Sequence, residues 1–444
     1  MIDVLVRGGT VVPPEGAGAL ADVAIEDGRI ERIGPELDGS AAEEIDARGL
    51  HVLPGALDVH VHFNEPGRAE WEGWATGTAA LAAGGATACV EMPLNAHPPT
   101  VDGAAFDAKR RAAERAAVVD FALWGGLVPG PLDRLDELAA RGAAGFKAFM
   151  CDTGIDDFAP VDDDLLGAGM ERAAALGLVV AVHAERPERL RAMRGEDWRA
   201  WADSRPAAAE LAAIERALEL AGQTSCALHV VHVSTGAGVA RVAQARARGV
   251  DATCETCPHY LVLSEDDMES LGTAAKCAPP LRAGAEREAL WEHLAAGRID
   301  LVASDHSPCP PQLKEGGFAR AWGGIAGAQT TLPLLLGEGR RRGVADERLV
   351  ALVTQRPAER LRLPKGRLEP GAGADLALVD LRATHALRRE DLRDRHRANP
   401  FAGRRLGARV VRTLLRGRTV FRDGRVTEGT GGRLLVPEAT RRPT

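Results

Sequence analysis

From Val4 to Ile45 apolar and polar residues alternate in short runs, the period of two that turns one face of a strand to a core and the other to water. Gly8-Gly9 and Asp27-Gly28 fall between those runs as dipeptides suited to hairpin turns, so the segment reads as a small all-β module. From about Leu53 the pattern changes. Strand-like apolar runs now alternate with alanine- and leucine-rich stretches of helical period, among them Gly77 to Ala83, Leu165 to Leu176, Ala207 to Ala221 and Arg287 to Ala295. That alternation predicts a parallel sheet covered by helices.

The strand candidates are Ala56 to Phe63, Ala86 to Met92, Val118 to Trp124, Ala144 to Met150, Leu178 to His183, Ala227 to Val233, Val250 to Cys254 and Ile299 to Ser304. They number eight, which closes a TIM barrel, so the expected class is α/β with a (β/α)8 barrel. After a last helical stretch around Leu349 to Leu361, the chain returns to turn-rich β pattern from Gly366 to Val379. The expected layout is a barrel over residues 53–364 and one β-sandwich module built from both ends, 1–52 and 365–444.

With 444 residues, 45% hydrophobic and 27% charged, the chain has ordinary globular composition, and disorder or a fibre is excluded. A net charge of -8 argues against a nucleic-acid surface, and Lys109-Arg110-Arg111 and Arg340-Arg341-Arg342 read as solvated helix faces. The N-terminus reaches glycine before any apolar run long enough for an export signal, and the apolar stretches are too short and glycine-broken to span a bilayer. A soluble, cytoplasmic protein without membrane or nucleic-acid partners is expected. Seven scattered cysteines fit a reducing compartment, and Cys254-Glu255-Thr256-Cys257 has no second pair at zinc-finger spacing.

In a barrel the chemistry collects where strands end and βα loops begin. His60 and His62 close the first strand candidate, two residues apart and therefore on one side of it. Lys147 lies late in the fourth, His183 ends the fifth, His232 closes the sixth and Asp305 follows the eighth. Singly, each has an ordinary reading: a core histidine satisfying a carbonyl, or a lysine snorkelling from a strand edge. Together they place imidazoles, a carboxylate and an amine at one mouth, a donor set suited to first-row metals.

These residues resemble the metal-dependent cyclic amidohydrolases, which include the dihydroorotases, hydantoinases and allantoinases. The resemblance runs over nearly the whole chain. It implies two divalent ions, usually zinc, with cobalt, manganese or iron acceptable to the same ligands. It makes Lys147 an N6-carboxylysine, a carbamate formed with carbon dioxide that bridges the ions together with a hydroxide. His60, His62 and Asp305 would hold the first ion, and His183 and His232 the second. Asp305 would also carry the proton from the attacking hydroxide to the leaving nitrogen. Capture of carbon dioxide needs a neutral amine, so burial and metal must oppose the ordinary lysine pKa near 10.4. Assembly as a homo-oligomer, a tetramer, is also implied.

Three local features separate the branches. Dihydroorotase-like chains place a carboxylate-gripping arginine just after the paired histidines, where Asn64 stands here. Hydantoinases place an oxyanion-stabilising tyrosine shortly after the lysine, whereas here the run is Lys147-Ala148-Phe149-Met150-Cys151 and the only tyrosine is Tyr260. Phe63-Asn64-Glu65-Pro66-Gly67-Arg68 with Glu70-Trp71-Glu72-Gly73-Trp74, Glu91-Met92-Pro93-Leu94-Asn95 and Ala321-Trp322-Gly323-Gly324-Ile325 resemble the allantoinase branch.

The expected reaction is therefore opening of the hydantoin ring of a small neutral substrate, allantoin, to allantoate. Asn64, Asn95 and the backbone at Ala278 and Gly323 are the expected substrate contacts. A hydantoinase or dihydroorotase-like activity is the alternative, and a metal-free scaffold the reading from another class. Of the remaining histidines, His259 reads as supporting or structural, His306 as pointing away from Asp305, and His229 as lying on the opposite strand face.

Overall fold

The computed structural model describes residues 2–427, 429 and 431–438. All eight expected barrel strands are present: Ala56–Val61, Ala86–Glu91, Asp120–Leu123, Gly145–Phe149, Val179–His183, Leu228–Val230, Ala252–Thr256 and Leu301–Val302. Neighbours pair in parallel in chain order, the third with the fourth through the following Gly125–Gly126 segment, in registers such as Lys147 opposite Ala181 and Val182 opposite Val230. The ring closes where His62 N donates to His306 O at 2.7 Å and His306 N to His60 O at 3.3 Å. Nearly every strand residue is buried, because helices cover the outer face and side chains fill the inner one. That double burial is why the strands read as continuous apolar runs.

Several strands are shorter than the apolar pattern predicts. The sixth covers Leu228–Val230 instead of Ala227 to Val233, and the eighth only Leu301–Val302 instead of Ile299 to Ser304. Past each of these two strand ends the chain reaches a residue with left-handed backbone, His232 at φ 40° and Asp305 at φ 45°. Such conformations cost a non-glycine residue roughly 1–3 kcal/mol and re-aim its side chain. The third strand continues past Trp124 as the short Gly125–Gly126 segment.

Helix starts follow side-chain caps. Asp102, Asp162 and Thr235 each accept a hydrogen bond from a backbone N–H three residues on, at the head of Gly103–Ala116, Asp163–Leu176 and Gly236–Ala247. The expected last helical stretch is two helices, Asp346–Ala351 and Gln355–Leu361, with Thr354 out of helical geometry between them. Of the β pattern read from Gly366 to Val379, only the end is strand, Leu376–Asp380.

The chain ends meet in one nine-stranded sheet. Val4–Val11 pairs with Ala19–Glu26 on one side and, in succession, with Glu43–Asp46 and His51–Pro54 on the other; Leu376–Asp380 then pairs antiparallel with His51–Pro54. Asp27-Gly28 forms the expected hairpin turn, both residues at positive φ. Gly8-Gly9 does not turn the chain. It lies inside Val4–Val11 as a bulge, with Gly8 at φ 65° and its N–H on Asp22 Oδ1 at 2.7 Å. A buried lysine ties module to barrel, since Lys365 Nζ lies 2.6 Å from Asp120 at the foot of the third strand and 2.5 Å from Asp375.

Candidate metal centre

The C-terminal ends of the first, fifth, sixth and eighth strands bring His60, His62, His183, His232 and Asp305 to the wall of one cavity of about 600 Å³. His60 Nε2 and His62 Nε2 lie 3.2 and 3.4 Å from Asp305 Oδ1, so three donor atoms converge within 4.8 Å of one another. His183 Nδ1 faces His232 Nε2 at 3.0 Å. The two groups adjoin, because the His60 ring lies 5.5 Å from that of His232 and 5.4 Å from that of His62.

Burial favours the neutral, ligating form of His62, His183 and His232. It pulls His62 down to about 4 and His232 well below its ordinary value. Burial pushes the Asp305 carboxyl up, but His60, His62 and His232 outweigh that and hold it well below the carboxylate range.

Lys147 is completely buried on the fourth strand beneath this cluster, its Nζ 4.9 Å from the Phe149 ring centre and without a hydrogen-bond partner among the described residues. Burial draws its amine down to about 7 against the opposing pull of Glu255 and Asp305. An unpartnered buried ammonium would be costly, so the surroundings suit an amine that is neutral or further derivatised. His232 Nδ1 is likewise buried and has no hydrogen-bond partner among the described residues. The donor chemistry thus fits divalent cations.

Three carboxylates and amides behind the cluster orient it, and the sequence pattern did not single out the acids. Glu255, on the seventh strand, sits 2.5 Å from His60 Nδ1 and 3.0 Å from His229 Nε2, and accepts from His232 N at 3.3 Å. Burial raises its carboxyl, but His60 and His229 overcome this and bring it to about 2. Glu185 sits 2.8 Å from His183 Nε2 and is itself paired with Arg205. Asn95 lies 3.2 Å from His62 Nδ1. Each partner fixes which ring nitrogen remains for a cation: Nε2 of His60 and His62, Nδ1 of His183. The available signal was an acid inside an apolar strand, which is rarely buried without a charged or ligating neighbour.

The other expected residues divide. Asn95, Ala278 and Gly323 line the cavity, together with Trp201, Arg205, Lys276 and Trp322. Asn64 does not line it. It is fully buried at φ 64°, its Nδ2 3.5 Å from Pro308 O and its Oδ1 unpartnered. Tyr260 donates its hydroxyl to Pro279 O at 2.6 Å and is absent from the cavity wall, while Phe149, just after Lys147, stacks on His183 at 4.6 Å. His306 turns toward Glu72, 3.6 Å away, and His259 Nε2 is buried without a hydrogen-bond partner among the described residues. All seven cysteines are free and buried.

A parallel barrel that gathers four imidazoles, a carboxylate and an unpartnered lysine at its C-terminal mouth has the architecture of a metal-dependent hydrolase. The chain belongs to the Amidohydrolase family, whose model matches residues 51–420. It is 57% identical to an allantoinase of Rubrobacter xylanophilus over 98% of both chains, and 48% identical to an allantoinase of Deinococcus radiodurans over 99% of both. Among solved structures it is similar to the L-hydantoinase of Arthrobacter aurescens, with a TM-score of 0.94 and 35% identity over 98% of this chain and 100% of that one. The dihydropyrimidinase of Brevibacillus agri matches with a TM-score of 0.92 and 30% identity over the full length of both. No helix among the described residues is long and apolar enough to cross a membrane.

Proposed function

We propose that this chain is an allantoinase, a metal-dependent hydrolase that opens the hydantoin ring of allantoin to give allantoate. The carrying observation is that one cavity joins the ligating cluster to Asn95, Ala278 and Gly323, in a chain 57% identical to an allantoinase over nearly its whole length. His60, His62 and Asp305 would hold one divalent ion and His183 and His232 a second, and Lys147, as a carbamate, would supply further oxygen donors to them. Zinc is the proposed metal, with cobalt, manganese and iron as competitors for the same nitrogen and oxygen donors. Bound cations supply Lewis-acid activation of water and of the scissile carbonyl.

The chain's own groups do the rest. Asp305 takes the proton of the attacking water as its oxygen bonds to the ring carbonyl carbon, and returns it to the ring nitrogen as the carbon–nitrogen bond breaks. A ligating His62 must carry its proton on Nδ1, so the Asn95 oxygen belongs against it. Ala278 and Gly323 offer peptide groups for the ring amide.

Parallel turnover of allantoin, dihydroorotate, dihydrouracil and hydantoin on metal-quantified protein tests this reading. Allantoin should give the highest kcat/KM, and preference for dihydroorotate would overturn it. A homotetramer in the cytoplasm completes the proposal, and light scattering on purified protein tests the assembly.

A further inference from the structure

The loop 321–324 on the cavity wall is held by two lysine side chains that take no part in the cluster. Lys314 Nζ donates to Thr273 O at 3.1 Å, Trp322 O at 2.9 Å and Gly324 O at 2.6 Å, which spends all three of its donors. Lys276 Nζ donates to Ala321 O at 2.6 Å and lies 4.2 Å over the Trp201 ring. The loop's amides are also engaged on either side: Trp322 N with Leu313 O at 2.7 Å and Gly324 N with Lys276 O at 2.8 Å. Gly323 is the exception. Neither its N–H nor its carbonyl has a partner among the described residues, and it lines the cavity.

The peptide joining Trp322 to Gly323 is trans, so its N–H points opposite to the carbonyl that Lys314 holds. A cation on that carbonyl draws electron density through the conjugated unit and makes the Gly323 N–H a stronger donor, directed away from the lysine. A similar arrangement stands beside it. Trp201 Nε1 donates to Cys277 O at 3.1 Å and Tyr260 to Pro279 O, which leaves the Ala278 peptide groups unpartnered among the described residues and on the same wall. A Cβ on Gly323 would lie 4.0 Å from the Cys277 carbonyl carbon, so the two free peptides are neighbours. Together they match the edge of a cyclic amide, which offers a carbonyl acceptor beside an N–H donor. Burial brings the Lys314 amine to about 8, consistent with an ammonium held by carbonyls and not by a carboxylate.

We propose that Lys314 is a positioning residue for ring opening: by holding the carbonyls of Trp322 and Gly324 it presents the Gly323 peptide, with a polarised N–H, to the amide edge of a cyclic substrate. This rests on the reading of the chain as a cyclic amide hydrolase and names a residue through which that site recognises its ring.

The test compares metal-loaded wild type with Lys314→Met and Lys314→Arg. A lost hydrogen bond to a polarised donor should raise KM for allantoin by about tenfold to a hundredfold in Lys314→Met, with metal content unchanged and kcat within about threefold. Lys314→Arg, which keeps the cation, should recover part of that loss. A lysine that only braces the loop would reduce the active fraction, and so kcat, while leaving KM alone; an unchanged KM in Lys314→Met therefore overturns the proposal. If the methionine variant does not fold, Lys314→Gln, which keeps a donor without the charge, is judged by the same KM criterion. Should wild type open another cyclic amide and not allantoin, the substrate assignment fails, and Lys314 is then judged on KM for that amide.

Discussion

Glu255→Gln is the sharpest perturbation of the centre, because it changes no ligand and almost no volume. The carboxylate accepts from His60 Nδ1 at 2.5 Å, His229 Nε2 at 3.0 Å and His232 N at 3.3 Å, with no exposure to water. An amide has one oxygen and one NH2. It can satisfy one imidazole N–H, but its NH2 then meets the other, which must shift its own proton to accept. If His60 makes that shift, its Nε2 becomes protonated and can no longer bind a cation. Loss of an orienting partner of this kind costs about tenfold to a hundredfold in metal affinity, or roughly 1.4–2.7 kcal/mol. Competition with a chromophoric chelator, read beside metal content by mass spectrometry, measures it. In chelator-treated protein the folded-state carboxyl at about 2 lies below its ordinary value of 4.5. The stability that Glu255 contributes is therefore present above about pH 4.5 and lost as pH falls toward 2, so the gap between wild type and variant should be flat at neutral pH and narrow in acid. Wild-type metal affinity in Glu255→Gln would refute the orienting role.

Three further substitutions probe other layers of the molecule. Lys147→Ala should lose metal content and activity together; full activity at unchanged metal stoichiometry would contradict the carbamate. Asp305→Asn should keep its fold by circular dichroism while kcat falls by about a hundredfold or more, and an unaltered pH–rate profile would exclude Asp305 as proton carrier. Lys365→Met leaves Asp120 and Asp375 facing each other in a buried site, with only Arg416 remaining beside Asp120, and should destabilise the protein by about 3 kcal/mol in urea unfolding. A loss below about 0.5 kcal/mol there would show that the module is held to the barrel by other contacts.

The barrel was legible because its period is coarse: apolar runs four to eight residues long recur between helical stretches, and strand existence does not depend on exact ends. The ends were not legible. Strands six and eight stop early because His232 and Asp305 adopt left-handed backbone, a choice made by the tertiary site and carried by no local propensity. Gly8-Gly9 misled for a related reason, since a glycine with positive φ serves a bulge as well as a turn, and only Asp22 across the sheet decides between them. At the site, the candidate ligands that share one cavity announced themselves through their common position after strands. Glu255 and Glu185 did not, because an orienting acid is defined by the ring it faces, and that pairing joins residues as far apart as His60 and Glu255.

Asn64 shows how a correct inference about substrate charge can stand on a different foundation from the one first visible. The residue occupies the place where a carboxylate-gripping arginine would follow the paired histidines, yet it is buried beside Pro308 and off the cavity wall. Its amide therefore does not read the ring directly. The cations that do line the cavity are Arg205, Lys276 and Arg320. Arg205 is spent on Glu185 and lies against Trp201, and Lys276 is spent on Ala321 O. Arg320 is exposed near the rim. Apart from Arg320, the cavity wall offers a substrate carboxylate no guanidinium that is not already paired, whereas a bidentate arginine would be worth about 2–5 kcal/mol to a carboxylate. Preference for a neutral cyclic amide follows from the pairing of the cavity's cations with the protein itself, and the absence of an arginine at position 64 is one part of that larger arrangement.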